Sequence, residues 1–169
     1  ETSIDHSKPV ASHVLGMLMN SGYPLGHSMT TYEVKHACAG GTLALLSSAA
    51  MLRCSGKPDE MALAISSDIA RYEAPSTAEI TQGAGAVAVL IENNPGLIEL
   101  ELDHQGFFSS DVDDFFRPLG SATAMVKGRY SMECYQNSLE HAFKDYCERS
   151  GQSASDVIDR TDYAALHVP

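Results

Sequence analysis

A cysteine, two glycines and a long apolar run constrain the fold of this chain more than any other feature. Residues 42–52 are apolar or small at nearly every position, which is typical of a helix buried on every side. Directly before this run stand Cys38, Gly40 and Gly41, and residues 30–35 are β-branched or aromatic and predict a short strand. A strand that leads into a helix enclosed between layers indicates an α/β fold.

Helix and strand patterns alternate along the rest of the chain, with no repeat, linker or low-complexity tract. We therefore interpret residues 1–169 as a single segment of one domain. The first residue is not Met and no natural terminus is obvious at the last, so we expect a segment of a longer protein, incomplete at both ends. The other predicted elements are helices at 6–19 and 131–149 and strands at 61–67, 83–91, 97–102 and 163–166.

Composition limits the partners of the chain. Twenty-two acidic and 11 basic side chains give a formal net charge of −11, and the basic residues are scattered. We expect no nucleic-acid binding, because phosphate neutralisation requires clustered Lys and Arg. No apolar stretch is expected to approach the roughly 20 residues that span a bilayer, so no membrane partner is predicted.

The four cysteines show neither a CxxC pair nor metal-ligand spacing with histidines. We expect reduced, mostly buried thiols and a cytoplasmic location. Cys38 differs from Cys54, Cys134 and Cys147 because it opens a predicted helix. The unpaired N–H groups and the dipole of a helix N-terminus favour a thiolate, and the glycines allow a substrate to approach the backbone closely. This setting favours a nucleophile over a buried structural thiol.

Seven short blocks extend over nearly the whole chain. They are Glu1-Thr-Ser-Ile-Asp5-His-Ser-Lys8, Glu33-Val-Lys-His-Ala-Cys38-Ala-Gly-Gly-Thr42, Ser67-Asp68-Ile-Ala-Arg-Tyr72, Thr81-Gln-Gly-Ala-Gly-Ala-Val-Ala-Val89, Asp114-Phe-Phe-Arg-Pro118, Lys127-Gly-Arg-Tyr-Ser131 and Asp162-Tyr-Ala-Ala-Leu-His167-Val-Pro169. In this order they resemble the hydroxymethylglutaryl-CoA synthase family of the thiolase superfamily, including its polyketide β-branching relatives. Any single block is weak, but seven in collinear order are a specific signal.

The resemblance implies a thiolase-like layered α/β fold with a buried central helix that carries the nucleophile. By position, Cys38 becomes the acyl-accepting nucleophile, Glu1 the general acid/base and His167 the residue that orients and polarises the acceptor thioester. Four further residues fall on positions that line and support the family's active site: Asp5, Asp68, Tyr72 and Asp114. Without the resemblance, Glu1 reads as a solvated end residue, His167 as a core histidine and Tyr72 as half-buried packing.

The resemblance also implies a reaction. An acetyl group on Cys38 condenses with acetoacetyl-CoA or another β-ketoacyl thioester, and water then releases a 3-hydroxy-3-methylglutaryl-type product. The implied substrates are acetyl-CoA and acetoacetyl-CoA, or phosphopantetheine thioesters of acyl-carrier proteins. No cofactor or metal is expected. The protein is expected to form a homodimer. Two alternatives stay open: a polyketide β-branching synthase that acts on acyl-carrier proteins, and a non-catalytic thiolase-fold partner subunit.

The sequence departs from the family pattern at two places. Ala39 stands where family members usually carry a bulky aromatic residue, and the loop at 20–27 makes the stretch before Cys38 a few residues longer than usual. We expect the loop, around Tyr23 and Leu25, to fold towards the site entrance and to compensate for the missing ring.

Overall fold

The computed structural model describes residues 7–55, 57–76 and 78–168 and divides into two compact units. The first unit consists of Glu1–Ala70 and Gly83–Glu99, and the second of Arg71–Gln82 and Leu100–Pro169. The expectation of a single segment of one domain stays a prediction.

The first unit is a two-stranded sheet covered by a helix. Helix α1 spans Val10–Asn20, helix α2 Gly40–Ser55, strand β1 Met61–Ala70 and strand β2 Gly83–Glu92. The strands pair antiparallel along their whole length, from Met61 opposite Glu92 to Ala70 opposite Gly83. Side chains alternate between the faces of a strand, so one apolar set meets α2. The buried apolar side chains of this unit are Ala49, Leu52, Ala64 and Ile91.

Burial of α2 is one-sided within the described residues. Gly40, Ser48, Ala49 and Leu52 are its buried positions, whereas Met51 is 50% exposed. The expected enclosure on every side is therefore not seen among the described residues, where two strands of the same unit pack on one side of the helix. The sheet likewise leaves large side chains such as Met61, Leu63 and Leu90 exposed.

The second unit is built around a long helix. Strand β3 spans Phe115–Phe116 and pairs antiparallel with β4, Met125–Val126. Helix α3 follows at Gly128–Ser150 and α4 at Ala154–Asp159. Gly151 ends α3 with φ 67°, the left-handed conformation that glycine adopts without steric cost.

The helices predicted at 6–19, 42–52 and 131–149 and the strands at 61–67 and 83–91 are confirmed, with ends shifted by a few residues. In the part of the chain that the structure describes, the strands predicted at 97–102 and 163–166 are absent. Their apolar residues find no neighbouring strand: Leu97 and Tyr163 are each 93% exposed. Residues 30–35 also form no strand, although they are central to the mounting of Cys38.

The stretch Ala37–Ser55 is longer and more apolar than the sequence analysis assumed. Its 19 residues are long and apolar enough to cross a bilayer, by length and composition alone. The expectation that no stretch approaches this length is therefore wrong, because Ala37, Cys38, Ala39 and Cys54 extend the apolar run beyond residues 42–52. Core helices of the same composition meet the criterion too, so it is weak support for a membrane span.

Candidate active site

The segment before Cys38 lies between two helices and bonds to both. On one side, Ser12 Oγ and Thr31 Oγ1 are 2.7 Å apart, and Glu33 Oε2 accepts a 3.2 Å hydrogen bond from the Val10 N–H at the start of α1. On the other side, Tyr32 OH lies 2.8 Å from Ser48 Oγ in α2. Odd-numbered side chains thus meet α1 and the even-numbered tyrosine meets α2, which is the alternation of an extended strand without strand pairing.

Cys38 lies directly before α2, at the amino end of the helix that it was predicted to open. Residues Ala37–Ala39 form a 3-10 turn that runs directly into α2, and the first turn of α2 contains no acidic residue. Cys38 is exposed, and all four cysteines, which lie in described residues, are reduced thiols. The expectation of burial is wrong for Cys54, which is also exposed, while Cys134 and Cys147 are half-buried.

Ala37 has an unusual backbone conformation. Its φ is +38°, in the left-handed region that a residue with a Cβ adopts only at a cost. Such strain persists where the surrounding structure imposes it and is concentrated at functional sites. This conformation was not predicted, since no local sequence pattern identifies an alanine as left-handed.

The two glycines after Cys38 permit close packing within the protein itself. A Cβ on Gly40 would lie 3.2 Å from the Val34 carbonyl oxygen, and a Cβ on Gly41 would lie 2.4 Å from Ser66 Oγ. The first turn of α2 is therefore wedged between the extended segment and β1. The glycines were expected to allow close approach of a substrate, and the structure shows that they also allow close packing within the protein.

Ala39 and the loop at 20–27 were expected to compensate for each other. The loop leaves α1 through a hydrogen bond from Tyr23 N–H to the Leu18 carbonyl, 3.1 Å. Tyr23 is 59% exposed and Ala39 is exposed. The tyrosine ring therefore fills no buried space beside Ala39, and that part of the expectation is not supported.

Two predicted site residues of the second unit, Tyr72 and Asp114, belong to one connected cluster. The Tyr72 ring meets the Phe115 ring edge to face, with centroids 6.2 Å apart, and residue 72 bridges to Ala124 beside β4. Asp114 is adjacent to Phe115 in sequence, and its Oδ2 accepts a 2.9 Å hydrogen bond from Ser131 Oγ. The half-buried tyrosine and carboxylate are therefore fixed by the β3–β4 hairpin and the start of α3.

Charges and hydroxyls flank this cluster. Lys127 bonds Asp113 through its ammonium group, and this contact lowers the pKa of the Asp113 carboxyl. A hydrogen bond with the Cys134 thiol raises the pKa of the Tyr130 phenol. Lys127 N–H also donates a 2.8 Å hydrogen bond to the Asp114 carbonyl. This backbone bond and the ion pair with Asp113 together close the base of the hairpin.

Other predicted site residues have different surroundings. Asp68 is half-buried in β1, in the same unit as Cys38, and its Oδ1 accepts a 2.8 Å hydrogen bond from Ile69 N–H. His167 is exposed in irregular backbone of the second unit, so its proximity to Cys38 stays a prediction. Glu1 and Asp5 lie outside the described residues. Among the described residues, no group of three or more His, Cys, Asp or Glu is placed to hold a metal ion.

A tight contact between a loop and α3 was not predicted. A Cβ on Gly106 would lie 2.1 Å from the Ala142 carbonyl oxygen, so the loop backbone touches the helix. The next residue, Phe107, donates its N–H to Asp145 Oδ2 at 2.8 Å, and the Arg149 guanidinium lies 5.2 Å from the Phe107 ring centroid. These contacts join residues that lie 36 to 42 positions apart in sequence, and single-sequence patterns do not reveal such pairs.

Comparison with known proteins decides the family. Residues 1–95 match the family described as hydroxymethylglutaryl-coenzyme A synthase N terminal, and residues 98–169 match its C-terminal counterpart. The chain belongs to the hydroxymethylglutaryl-CoA synthase family. It is similar over its whole length, at 37% identity, to the hydroxymethylglutaryl-CoA synthase of Enterococcus faecalis, and it covers 41% of that protein.

Solved structures of hydroxymethylglutaryl-CoA synthases show the same fold. MvaS in complex with 3-hydroxy-3-methylglutaryl coenzyme A superposes with a TM-score of 0.82 at 40% identity, over 96% of this chain and 37% of that one. The HMG synthase of the curacin biosynthetic pathway, in complex with acetyl donor-ACP, gives a TM-score of 0.79 at 27% identity, over 88% of this chain and 35% of that one. The predicted family and the thiolase-like α/β fold class are confirmed. The chain spans about two fifths of the length of these relatives.

Proposed function

We propose that this chain carries the nucleophile of an acyltransferase that condenses an acetyl group with a β-ketoacyl thioester. The observation that carries the proposal is the mounting of Cys38: an exposed thiol in the turn that opens α2, directly after the strained Ala37. The N–H groups at the start of a helix have no partners within the helix, and they stabilise negative charge on a thiolate or an oxyanion.

The first half-reaction is acyl transfer. The Cys38 thiolate attacks the carbonyl carbon of an acetyl thioester, the bond from that carbon to the carrier sulfur breaks, and the carrier thiol leaves with a proton. The product is an acetyl thioester on Cys38.

The second half-reaction is condensation. Glu1 removes a proton from the acetyl methyl group, and N–H groups near the start of α2 hold the enolate oxygen. The methyl carbon then attacks the ketone of the acceptor, which His167 orients, and the alkoxide takes up the proton. Water cleaves the Cys38 thioester and releases the product. The steps transfer an acyl group and protons and form one carbon–carbon bond without net oxidation or reduction, so the balance requires no redox cofactor, and the proposal includes no metal.

Asp68, Tyr72 and Asp114 would line and support this site, together with Asp5. Tyr72 and Asp114 suit the role because both are held in place by the cluster around Phe115. The acceptor needs a polar group near its ketone and thioester oxygens, and a phenol on a fixed backbone supplies one.

Coenzyme A is the first candidate for the carrier. The two relatives at 37% and 40% identity are a hydroxymethylglutaryl-CoA synthase and MvaS in complex with 3-hydroxy-3-methylglutaryl coenzyme A. The acyl-carrier protein is the second candidate, because the curacin synthase binds an acetyl donor-ACP and aligns at 27% identity. A cytoplasmic homodimer that binds neither nucleic acid nor membrane, in a mevalonate-type or polyketide pathway, completes the proposal. The four reduced thiols support the location.

A two-stage assay tests the function. The intact protein is given acetyl-CoA or acetylated carrier protein, then acetoacetyl-CoA, and the condensation product is measured by liquid chromatography. Glu1→Gln should leave acetylation of Cys38 intact and lower the condensation rate by about 10²–10⁴-fold, since one general acid/base supplies this factor. Glu133→Gln, which changes an exposed glutamate of α3, is the matched control. Normal condensation by Glu1→Gln would contradict the role, and absence of acetylation would favour the non-catalytic subunit.

A further inference from the structure

The side chain of Gln82 closes the loop that carries Tyr72. This loop leaves β1 after Ala70 and enters β2 at Gly83, and these two residues are the last pair of the strand ladder. One residue beyond this pair, Gln82 Oε1 accepts a 3.0 Å hydrogen bond from Tyr72 N–H. Its Nε2 donates a 3.2 Å hydrogen bond to the Glu79 carbonyl.

Gln82 thereby replaces a peptide group. In a regular antiparallel ladder, the next rung after Ala70 and Gly83 would come from backbone atoms. Here one amide side chain supplies the acceptor to Tyr72 and a donor to Glu79, so both of its functions are used. The second bond fixes the amide plane, because it also ties the side chain to the 3-10 turn Glu79–Thr81.

The backbone of Tyr72 meets the rest of its unit on the opposite side. The Arg71 carbonyl accepts a 3.4 Å hydrogen bond from Ala124 N–H, and residue 72 bridges to Ala124. The ring then lies edge to face on Phe115, next to Asp114. Gln82 on one side and the hairpin on the other therefore fix where the phenol of Tyr72 is presented.

We propose that Gln82 is a positioning residue that holds Tyr72 for the acceptor thioester during condensation. This inference rests on the proposed function. It adds Gln82, which is not among the seven predicted site residues. Gln82 acts through Tyr72 and touches no reacting atom. Glutamate at this position keeps the acceptor but loses the donor, and alanine loses both.

The test compares both half-reactions in the intact protein. Gln82→Ala should lower kcat/KM for acetoacetyl-CoA about tenfold, because small misplacements of a binding group are costly, while acetylation of Cys38 changes less than about twofold. Gln82→Glu should lose only about threefold. Gln105→Ala is the matched control, since Gln105 Nε2 makes a comparable 3.2 Å bond to the Leu102 carbonyl in another loop. It should behave as wild type in both steps.

A double-mutant cycle and amide exchange separate positioning from general stability. In a Tyr72→Phe background, Gln82→Ala should cost less than about threefold, because the phenol it positions is gone. Additive losses, or equal losses in both half-reactions, would overturn the proposal. Hydrogen exchange at the Tyr72 amide should be about tenfold faster in Gln82→Ala than in wild type or Gln105→Ala. Unchanged exchange at the Tyr72 amide would overturn the role of Gln82, whatever the activity of the protein. A wild-type protein that does not condense its substrates would instead contradict the proposed function.

Discussion

Adding a methyl group at Gly41 tests how closely the nucleophile's helix packs on its strand. The new Cβ would lie 2.4 Å from Ser66 Oγ and 3.3 Å from Ser66 Cβ. Carbon and oxygen atoms in contact are about 3.3 Å apart or more, so the overlap with the hydroxyl is about 0.9 Å. The Ser66 side chain must rotate away or the first turn of α2 must lift from β1.

Two opposing effects set the size of the change. Overpacking of this kind costs about 1–3 kcal/mol, whereas alanine in place of glycine in a helix gains about 0.5–1 kcal/mol. Gly41→Ala should therefore lower the free energy of unfolding by about 1 kcal/mol. Ser66→Ala removes the overlapping oxygen and leaves only the 3.3 Å contact. In that background, Gly41→Ala should be neutral or stabilise by about 0.5 kcal/mol, a coupling of about 1–1.5 kcal/mol.

Urea unfolding of the wild type, Gly41→Ala, Ser66→Ala and the double variant, monitored by far-UV circular dichroism, measures this coupling. Gly16→Ala in α1 is the control for helix propensity, because nothing lies within 4 Å of its added Cβ. It should raise stability by about 0.5–1 kcal/mol. If Gly41→Ala stabilised as Gly16→Ala does, or if Ser66→Ala did not rescue it, α2 would not be wedged against β1 as described.

Three shorter predictions concern a loop contact, a strained residue and a titrating carboxyl. Gly106→Ala should lower the free energy of unfolding by about 2–3 kcal/mol in urea, since its Cβ would lie 2.1 Å from a backbone oxygen of α3. The control Gly96→Ala, with open space around its Cβ, should change the free energy of unfolding by less than about 0.5 kcal/mol. Ala37→Gly should be at least about 1 kcal/mol more stable than Ala39→Gly, because only Ala37 has a left-handed φ of 38°; equal stabilities would contradict the strain. The Phe107 N–H and then the neighbouring arginine lower the pKa of Asp145 in the folded protein. The stabilising contribution of the Asp145 carboxylate is therefore present above the unfolded pKa of about 3.9 and is lost as the pH falls through the folded value. Asp145→Asn should be less stable than wild type at pH 7, and the two stabilities should converge in acid.

Helices were more predictable than strands for a physical reason. Apolar periodicity and end signals act locally, so α2 and α3 were found within a few residues. A strand requires a partner, and the alternating run at 97–102 has none in the described part of the chain. Strands β3 and β4, with two residues each, are too short for a pattern.

Helix α4 was missed although its start signal is present. Ser153 accepts a hydrogen bond from the Asp156 N–H at 3.2 Å, as a helix-capping serine does. The spacing of Ser153 and Asp156 resembles a capping box, and it would have placed the helix between the elements predicted at 131–149 and 163–166, where none was assigned.

The candidate site divides in the same way. Cys38 was identified from its local setting, because a strand-like run, a cysteine and a helix are adjacent in sequence. Ala37 and Gln82 were not, since a backbone angle and a hydrogen bond across ten residues leave no local pattern. Tyr72 and Asp114 were assigned by resemblance, and the structure connects them through Phe115.

Acetylation of Cys38 tests the central claim most directly. The intact protein is incubated with acetyl-CoA and, separately, with an acetylated carrier protein, and the modified residue is located by peptide mass spectrometry. One acetyl group should appear on Cys38 and disappear in Cys38→Ala. Cys54→Ala, which removes the other exposed thiol, should label as wild type does. An acetyl group that persists in Cys38→Ala, or that is lost in Cys54→Ala, would contradict the assignment of the nucleophile.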